Sequence, residues 1–271
     1  MRIGVVAPSC RIDEATAEKA RARAAAAGAE LVVHPQVFAS EGHFAGSDAV
    51  RAGALLEMLA DESIDWIWCA RGGYGSNRIA VDVATKVPAR ALGKKVMGYS
   101  DAGFLLSALH KAGLEVAHGP MPADAGREGG EAALDRALAW MVRGDEAALE
   151  PDLATNRPSY AFNLEVLVSM LGTPLMPDLN GAELLVEEVA EYQYASDRAL
   201  FALTQQPVRP ASLRMGRFSA VPENDRPFGE EAEVMVRRWC EEAGIDYRGC
   251  ADIGHDAANR VVPFGAFNHQ R

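Results

Sequence analysis

The sequence predicts an α/β protein, with a helix-wrapped parallel sheet in the first half and a mixed α+β second half. Three observations predict it. Strand-like and helix-like segments alternate through the first half. Several strand-like segments are continuous apolar runs, such as Trp66-Ile67-Trp68-Cys69-Ala70, which is how strands buried on both faces of a parallel sheet read. Small residues are abundant while aromatics make up only 7% of the chain, a composition suited to tightly packed layers. With 271 residues, 49% of them hydrophobic, the chain is long enough for one large domain or two modest ones.

Taken in order, Ile3-Gly4-Val5-Val6-Ala7 reads as a first buried strand. Further strands are expected at residues 30–34, 64–70, 95–98 and 114–117, with helices at 13–27, 48–60, 77–83 and 101–112. Such alternation implies right-handed crossovers, and ligands of such sheets bind beyond the C-terminal strand ends. From 120 to 158 glycines, prolines and charges surround a single helix candidate at 131–142, followed by acidic stretches at 144–150 and 151–152. The expected division is therefore a domain over 1–122, a linker region over 123–158 and a second domain over 159–271. In the second domain helices are expected at 162–171, 196–204 and 230–243, strands at 183–189 and 212–219, and a last segment with Gly254-His255 and Pro263-Phe264-Gly265.

A net charge of −11 argues against nucleic-acid or anionic-membrane partners. No apolar run approaches the ~20 residues of a membrane span. The first residues are too short in apolar length for a secretory signal, so a cytoplasmic location is expected. Cys10, Cys69, Cys240 and Cys250 form neither a C-x-x-C pair nor a zinc spacing, and no H-E-x-x-H occurs. No metal and no other cofactor is expected.

The most informative stretch is Val96-Met97-Gly98-Tyr99-Ser100-Asp101, a strand running into a helix with a serine at the corner. Such a turn pushes a side chain out of the sheet and aims unpaired N–H groups at the same point. Taken alone, the six residues favour a Ser/Asp cap on an ordinary helix. A second strand end carries Ala70-Arg71-Gly72-Gly73-Tyr74-Gly75-Ser76-Asn77. Three glycines in four positions let N–H groups face a cavity without Cβ obstruction. They could cradle a phosphate, supply a second donor to an oxyanion hole, or form a flexible turn. The pattern is neither G-x-G-x-x-G nor a P-loop.

A serine nucleophile needs a base and an acid that orients it. Among the histidines, His255 in Ile253-Gly254-His255-Asp256 best suits a functional loop. His34 and His118 end apolar strands, His110 lies on a helix, His43 lies in a polar loop, and His269 is near the chain end. For the acid, Glu187 sits within Leu184-Leu185-Val186-Glu187-Glu188-Val189, where a carboxylate is costly unless paired. A surface charge on an edge strand remains open for it, Glu188 points to the opposite face of such a strand, and Glu191, Asp252 and Asp256 compete.

These residues resemble the LD-carboxypeptidase (muramoyltetrapeptide carboxypeptidase) family of serine peptidases. The resemblance covers nearly the whole chain: Ala7-Pro8-Ser9, Phe44-Ala45-Gly46-Ser47-Asp48 with Arg51, Arg71-Gly72-Gly73-Tyr74-Gly75, Gly98-Tyr99-Ser100-Asp101, Asn163, Leu171-Gly172-Thr173-Pro174, Glu187, Asp197-Arg198, Gly254-His255 with Asn259, and Pro263-Phe264-Gly265. It implies an N-terminal Rossmann-like domain and a C-terminal domain peculiar to the family. It further implies Ser100 as nucleophile, His255 as general base and Glu187 as acid, with backbone N–H groups of Asp101 and Gly73 or Gly72 as the oxyanion hole. Arg71 and Tyr74 are the expected polar contacts to substrate. The implied reaction is removal of terminal D-alanine from muropeptide tetrapeptides, at the L-centre of meso-diaminopimelate, in peptidoglycan recycling. The family resemblance also suggests a homodimer. Cys10 stands where a small polar residue is usual.

Three alternatives stand beside this expectation. The family includes proteins resembling the microcin C self-immunity peptidase, which cleave aminoacyl- or peptidyl-nucleotides; no tryptophan platform for adenine is visible in the sequence. From another class, the chain could be a non-catalytic small-anion-binding protein. A cysteine hydrolase using Cys69 or Cys10 is the third, although Cys69 ends an apolar strand and suits a buried small hydrophobe.

Overall fold

A computed structural model of the chain describes residues 1–154 and 156–266. Strand and helix alternate as expected through the first half: β1 (Arg2–Val6), α1 (Glu14–Ala26), β2 (Glu30–Val33), α2 (Asp48–Ala60), β3 (Trp66–Cys69), α3 (Asn77–Lys86), β4 (Lys95–Gly98), α4 (Gly103–Lys111) and β5 (Glu115–His118). The stretch after β5 contains α5 (Gly130–Arg143). The second half runs β6 (Ser159–Asn163), α6 (Leu164–Val168), β7 (Glu183–Val189), α7 (Gln193–Thr204), β8 (Ser212–Ser219), α8 (Ala232–Ala243), β9 (Asp246–Cys250) and β10 (Val262–Pro263).

The first sheet has the order β10-β5-β4-β3-β1-β2. Its five leading strands are parallel. Only β10 is antiparallel, pairing Val262 with His118 at the edge. Strand order reverses between β1 and β3, and the crevice outside such a switch point is where open α/β sheets bind ligands. Ser9, Gly72 and Ser100 all lie just past the C-terminal ends of these central strands.

The second half departs from the mixed α+β expectation. Its sheet, β6-β7-β8-β9, is parallel throughout, with α6, α7 and α8 between successive strands, so it is a second α/β unit. Two of its strands escaped the sequence. The helix expected over 162–171 is instead the end of β6, buried along its whole length, followed by the five-residue α6. Asn163 makes the switch, because its side-chain oxygen caps α6 by accepting from the Val166 N–H at 3.1 Å. The edge strand β9 contains Arg248 and Gly249 and alternates between exposed and half-buried residues, so it has no apolar run to announce it.

One hydrophobic cluster joins the two sheets. Phe104, Leu105 and Leu109 of α4 share it with Phe162, Leu164 and Leu184. Gly103 makes the approach close, since a Cβ there would stand 3.1 Å from both Phe162 and Val166. Burying such side chains contributes about 1.5–3 kcal/mol each, which holds the C-terminal strand ends of the two sheets against each other. Among the described residues no helix is long and apolar enough to cross a membrane.

Candidate active site

Beyond β4, Tyr99 is extended and Ser100 adopts φ +59°. A left-handed backbone at a non-glycine residue costs about 1–2 kcal/mol. The strain turns the chain sharply into a short 3-10 turn and α4, and it lifts the Ser100 side chain clear of the sheet. The turn is not the helix cap its residues suggest, because neither Ser100 nor Asp101 caps α4 with its side chain. The buried Asp101 carboxylate instead accepts from the Ser76 N–H at 2.9 Å, the Gly75 N–H at 3.3 Å and the Ser9 hydroxyl. It ties the glycine loop after β3 and the end of β1 to the serine turn. Ser100→Gly should therefore be more stable to denaturant than Ser100→Ala by about 1 kcal/mol.

His255 comes from the irregular segment between β9 and β10. Its Nε2 lies 2.9 Å from Ser100 Oγ, and its Nδ1 lies 2.6 Å from Glu187 Oε2. A carboxylate only accepts, so Nδ1 carries the ring hydrogen and Nε2 presents its lone pair to the serine O–H. Glu187 is fully buried on β7, an inner strand rather than an edge, at a bulge between Val186 and Glu188. The sheet leaves room for it at Gly216 of β8, where a Cβ would stand 2.9 Å from Glu187 Cβ and 2.6 Å from Ile253. Glu188 does not share the site's relay. It accepts from the Asn163 side chain at 2.6 Å and from the Glu165 N–H at 2.9 Å. Of the other acids weighed from sequence, Asp252 and Asp256 pair with Arg217, and Glu191 lines a cleft beside the serine.

The remaining histidines have other partners. His118 is buried and donates from Nε2 to Asn259 Oδ1 at 3.0 Å, and burial lowers its pKa. His34 lies 3.2 Å from Glu57, and His110 packs on Tyr160 and Phe264. His43 Nε2 lies 3.2 Å from the Cys10 thiol. His269 is outside the described residues. Burial pushes the Cys69 thiol up to about 12, which removes it as a thiolate nucleophile at neutral pH.

Gly72 lies directly against the serine. A Cβ on it would stand 3.0 Å from Ser100 Oγ and 3.5 Å from the Asp101 nitrogen, crowding the space in front of the hydroxyl. The Gly73 φ of +105° favours glycine, and a Cβ there would strike the Cys10 sulfur. Gly72→Ala should therefore lower kcat by about 10²-fold, the effect a misplacement of about 1 Å can have, in steady-state assays without unfolding the chain.

Two clefts flank Ser100. One, of about 750 Å3, is lined by Arg11, Arg71, Gly72, Asp124, Arg127 and His255 among others. Arg71, one of the two residues expected to touch substrate, lines this cleft, as do Arg11 and Arg127, which carry no sequence signal. Tyr74 lies instead on the second cleft, of about 620 Å3, together with Asn77, Asn163, Glu165, Glu188 and Glu191. Burial, and then the nearby Glu191, push the Glu165 carboxyl up. One side of the serine is therefore rich in guanidinium groups and the other in carboxylates. No group of three or more metal-ligating side chains occurs among the described residues.

Comparison with known proteins agrees with this architecture. The profile of the LD-carboxypeptidase N-terminal domain matches residues 3–119, and that of the LD-carboxypeptidase C-terminal domain matches residues 160–269. The murein tetrapeptide carboxypeptidase of Pseudomonas aeruginosa is 26% identical over 97% of this chain and 91% of its own length. The crystal structure of muramoyltetrapeptide carboxypeptidase from Oxalobacter formigenes aligns with a TM-score of 0.81 at 23% identity, over 98% of this chain and 93% of that one. The microcin C7 self immunity protein MccF, in complex with aspartyl sulfamoyl adenosine, aligns with a TM-score of 0.77 at 18% identity, over 97% of this chain and 91% of that one. At those identities the two structures speak for the fold alone, whereas the two profiles together take in both sheets, and on that ground the chain belongs to the LD-carboxypeptidase family.

Proposed function

We propose that this chain is a serine LD-carboxypeptidase. It would hydrolyse the amide between the L-centre of meso-diaminopimelate and the terminal D-alanine of muropeptide tetrapeptides, in cytoplasmic peptidoglycan recycling. The observation that carries the reading is the unbroken relay Glu187–His255–Ser100, with separations of 2.6 and 2.9 Å, at the mouth of a guanidinium-lined cleft. A protein that merely held an anion would have no use for such a relay.

In this mechanism His255 Nε2 takes the Ser100 proton as Oγ attacks the scissile carbonyl. The oxyanion is held by the Asp101 amide and an amide of the Gly72–Gly73 loop, each donor typically worth roughly 3 kcal/mol in the transition state. His255 then protonates the leaving nitrogen of D-alanine, and water repeats the cycle on the acyl-enzyme. Glu187 fixes the tautomer and stabilises the imidazolium. Arg71 and Arg11 suit the terminal carboxylate of the leaving alanine. Across the serine, Glu165 and Glu191 suit the free ammonium of diaminopimelate, and a cation between them would relieve their mutual repulsion.

The likeness to MccF keeps an aminoacyl-nucleotide substrate in view. Against it, none of the four tryptophans lines either cleft, so no indole is offered to an adenine there. A murein tetrapeptide and an aminoacyl sulfamoyl adenosine, presented separately at equal concentration, distinguish the readings by mass spectrometry. The proposal expects loss of one alanine from the tetrapeptide and negligible cleavage of the nucleoside. The reverse preference would overturn it.

A further inference from the structure

We infer that Arg127 and Arg136, both from the stretch between the two sheets, are positioning residues for His255. The inference rests on the Ser100–His255–Glu187 reading above. His255 sits in a segment that belongs to neither a helix nor a strand; main-chain bonds hold Asp252, Ile253 and Asp256 beside it, while the carbonyl of His255 itself is held by a side chain. Arg127 Nη1 donates to the main-chain carbonyl of His255. Arg136, on α5, donates to the carbonyls of Ala257 at 2.9 Å and Asn259 at 2.8 Å. Three alternate carbonyls of one irregular loop are thus held by two guanidinium groups, whose forked donors suit this task better than an ammonium.

The Arg127 arm also reaches the serine by a second route. Its Nε lies 3.2 Å from Asp124 Oδ1, and that same oxygen accepts from Tyr99 Oη at 2.8 Å. The Met121 N–H donates to the other Asp124 oxygen at 2.8 Å, which fixes the carboxylate. Tyr99 is the residue before Ser100, and its ring centre lies 5.0 Å from that of His255. The chain of contacts Ser100–Tyr99–Asp124–Arg127–His255 closes a ring with the Ser100–His255 contact. It sets the separation of serine and imidazole independently of Glu187. The stretch expected as a linker therefore acts as a brace that brings base and serine into register.

The test reads the rate at which a fluorophosphonate labels Ser100, because this probe carries no carboxylate for Arg127 to bind. Arg127→Gln should slow labelling by about tenfold to a hundredfold, the size of effect that a misplacement of about 1 Å can have, with the melting temperature within a few degrees of wild type. Arg127→Lys should recover part of the rate. Tyr99→Phe, cutting the same ring, should slow labelling and be less than additive with Arg127→Gln. Should Arg127→Gln be too unstable to assay, Tyr99→Phe and Arg127→Lys carry the comparison. Wild-type labelling rates in these variants overturn the inference, including the case in which D-alanine release alone falls, because Arg127 would then act on substrate only. A wild-type protein that takes no label at Ser100 overturns the nucleophile reading itself, and this inference with it.

Discussion

Ser100→Ala is expected to lower kcat by about five to six orders of magnitude while leaving the fold intact. The alanine keeps the backbone turn and the bond from Asp101 to the loop after β3, so substrate binding should persist. What disappears is the atom that forms the acyl-enzyme in the proposed mechanism. The residual rate should remain roughly 10³–10⁴-fold above that in water, from oxyanion donors and bound geometry alone. His255→Ala should fall to a similar floor. The double variant should fall little further, because residues that act as one unit are not additive. Single-turnover rates on one tetrapeptide, measured for both single variants and the double, check this. Additive losses would mean that Ser100 and His255 work in separate steps.

Glu187→Gln is expected to cost about 10⁴-fold in kcat with KM changed only a few-fold. The carboxylate accepts the Nδ1 hydrogen of His255 at 2.6 Å and is fully buried. A glutamine amide can offer an N–H to Nδ1 instead, which moves the ring hydrogen to Nε2 and removes the acceptor Ser100 needs. In the proposed mechanism the imidazolium formed during attack also loses its counter-charge. Folding should suffer little, since the replacement is neutral and of equal size, and one Glu187 oxygen, Oε1, already has no hydrogen-bond partner. A variant retaining activity within tenfold of wild type would show that another group orients the base.

The first sheet is legible because its inner strands β1, β3 and β4 are largely buried and read as apolar runs, Trp66 to Ala70 most plainly. The second sheet is less so. β6 runs without a break into α6, so Phe162 and its neighbours look like the start of one helix. β9 is a half-exposed edge with a glycine inside it. The glycine loop stands out in sequence as three glycines in four positions at a strand end, whereas Ser100 taken alone reads as part of a helix cap. The partners that complete the site do not stand out. Ser100 and His255 are 155 residues apart, and no periodicity relates them; only the family resemblance implies that pairing. Asp101 looked like a cap because acidic residues after a strand usually are, yet its carboxylate binds two loops brought near only by β1–β3–β4 pairing. Gly216, which makes space for Glu187, and Arg127, which holds a carbonyl, depend on tertiary contacts that leave no local mark.

Release of D-alanine from a purified murein tetrapeptide, followed by mass spectrometry for wild type and Ser100→Ala side by side, tests the central claim most directly. The account predicts that wild type converts tetrapeptide to tripeptide with one equivalent of D-alanine, while the variant yields only traces over the same time. Release by Ser100→Ala at the wild-type rate, or an intact tetrapeptide after prolonged incubation with folded wild-type protein, would contradict it.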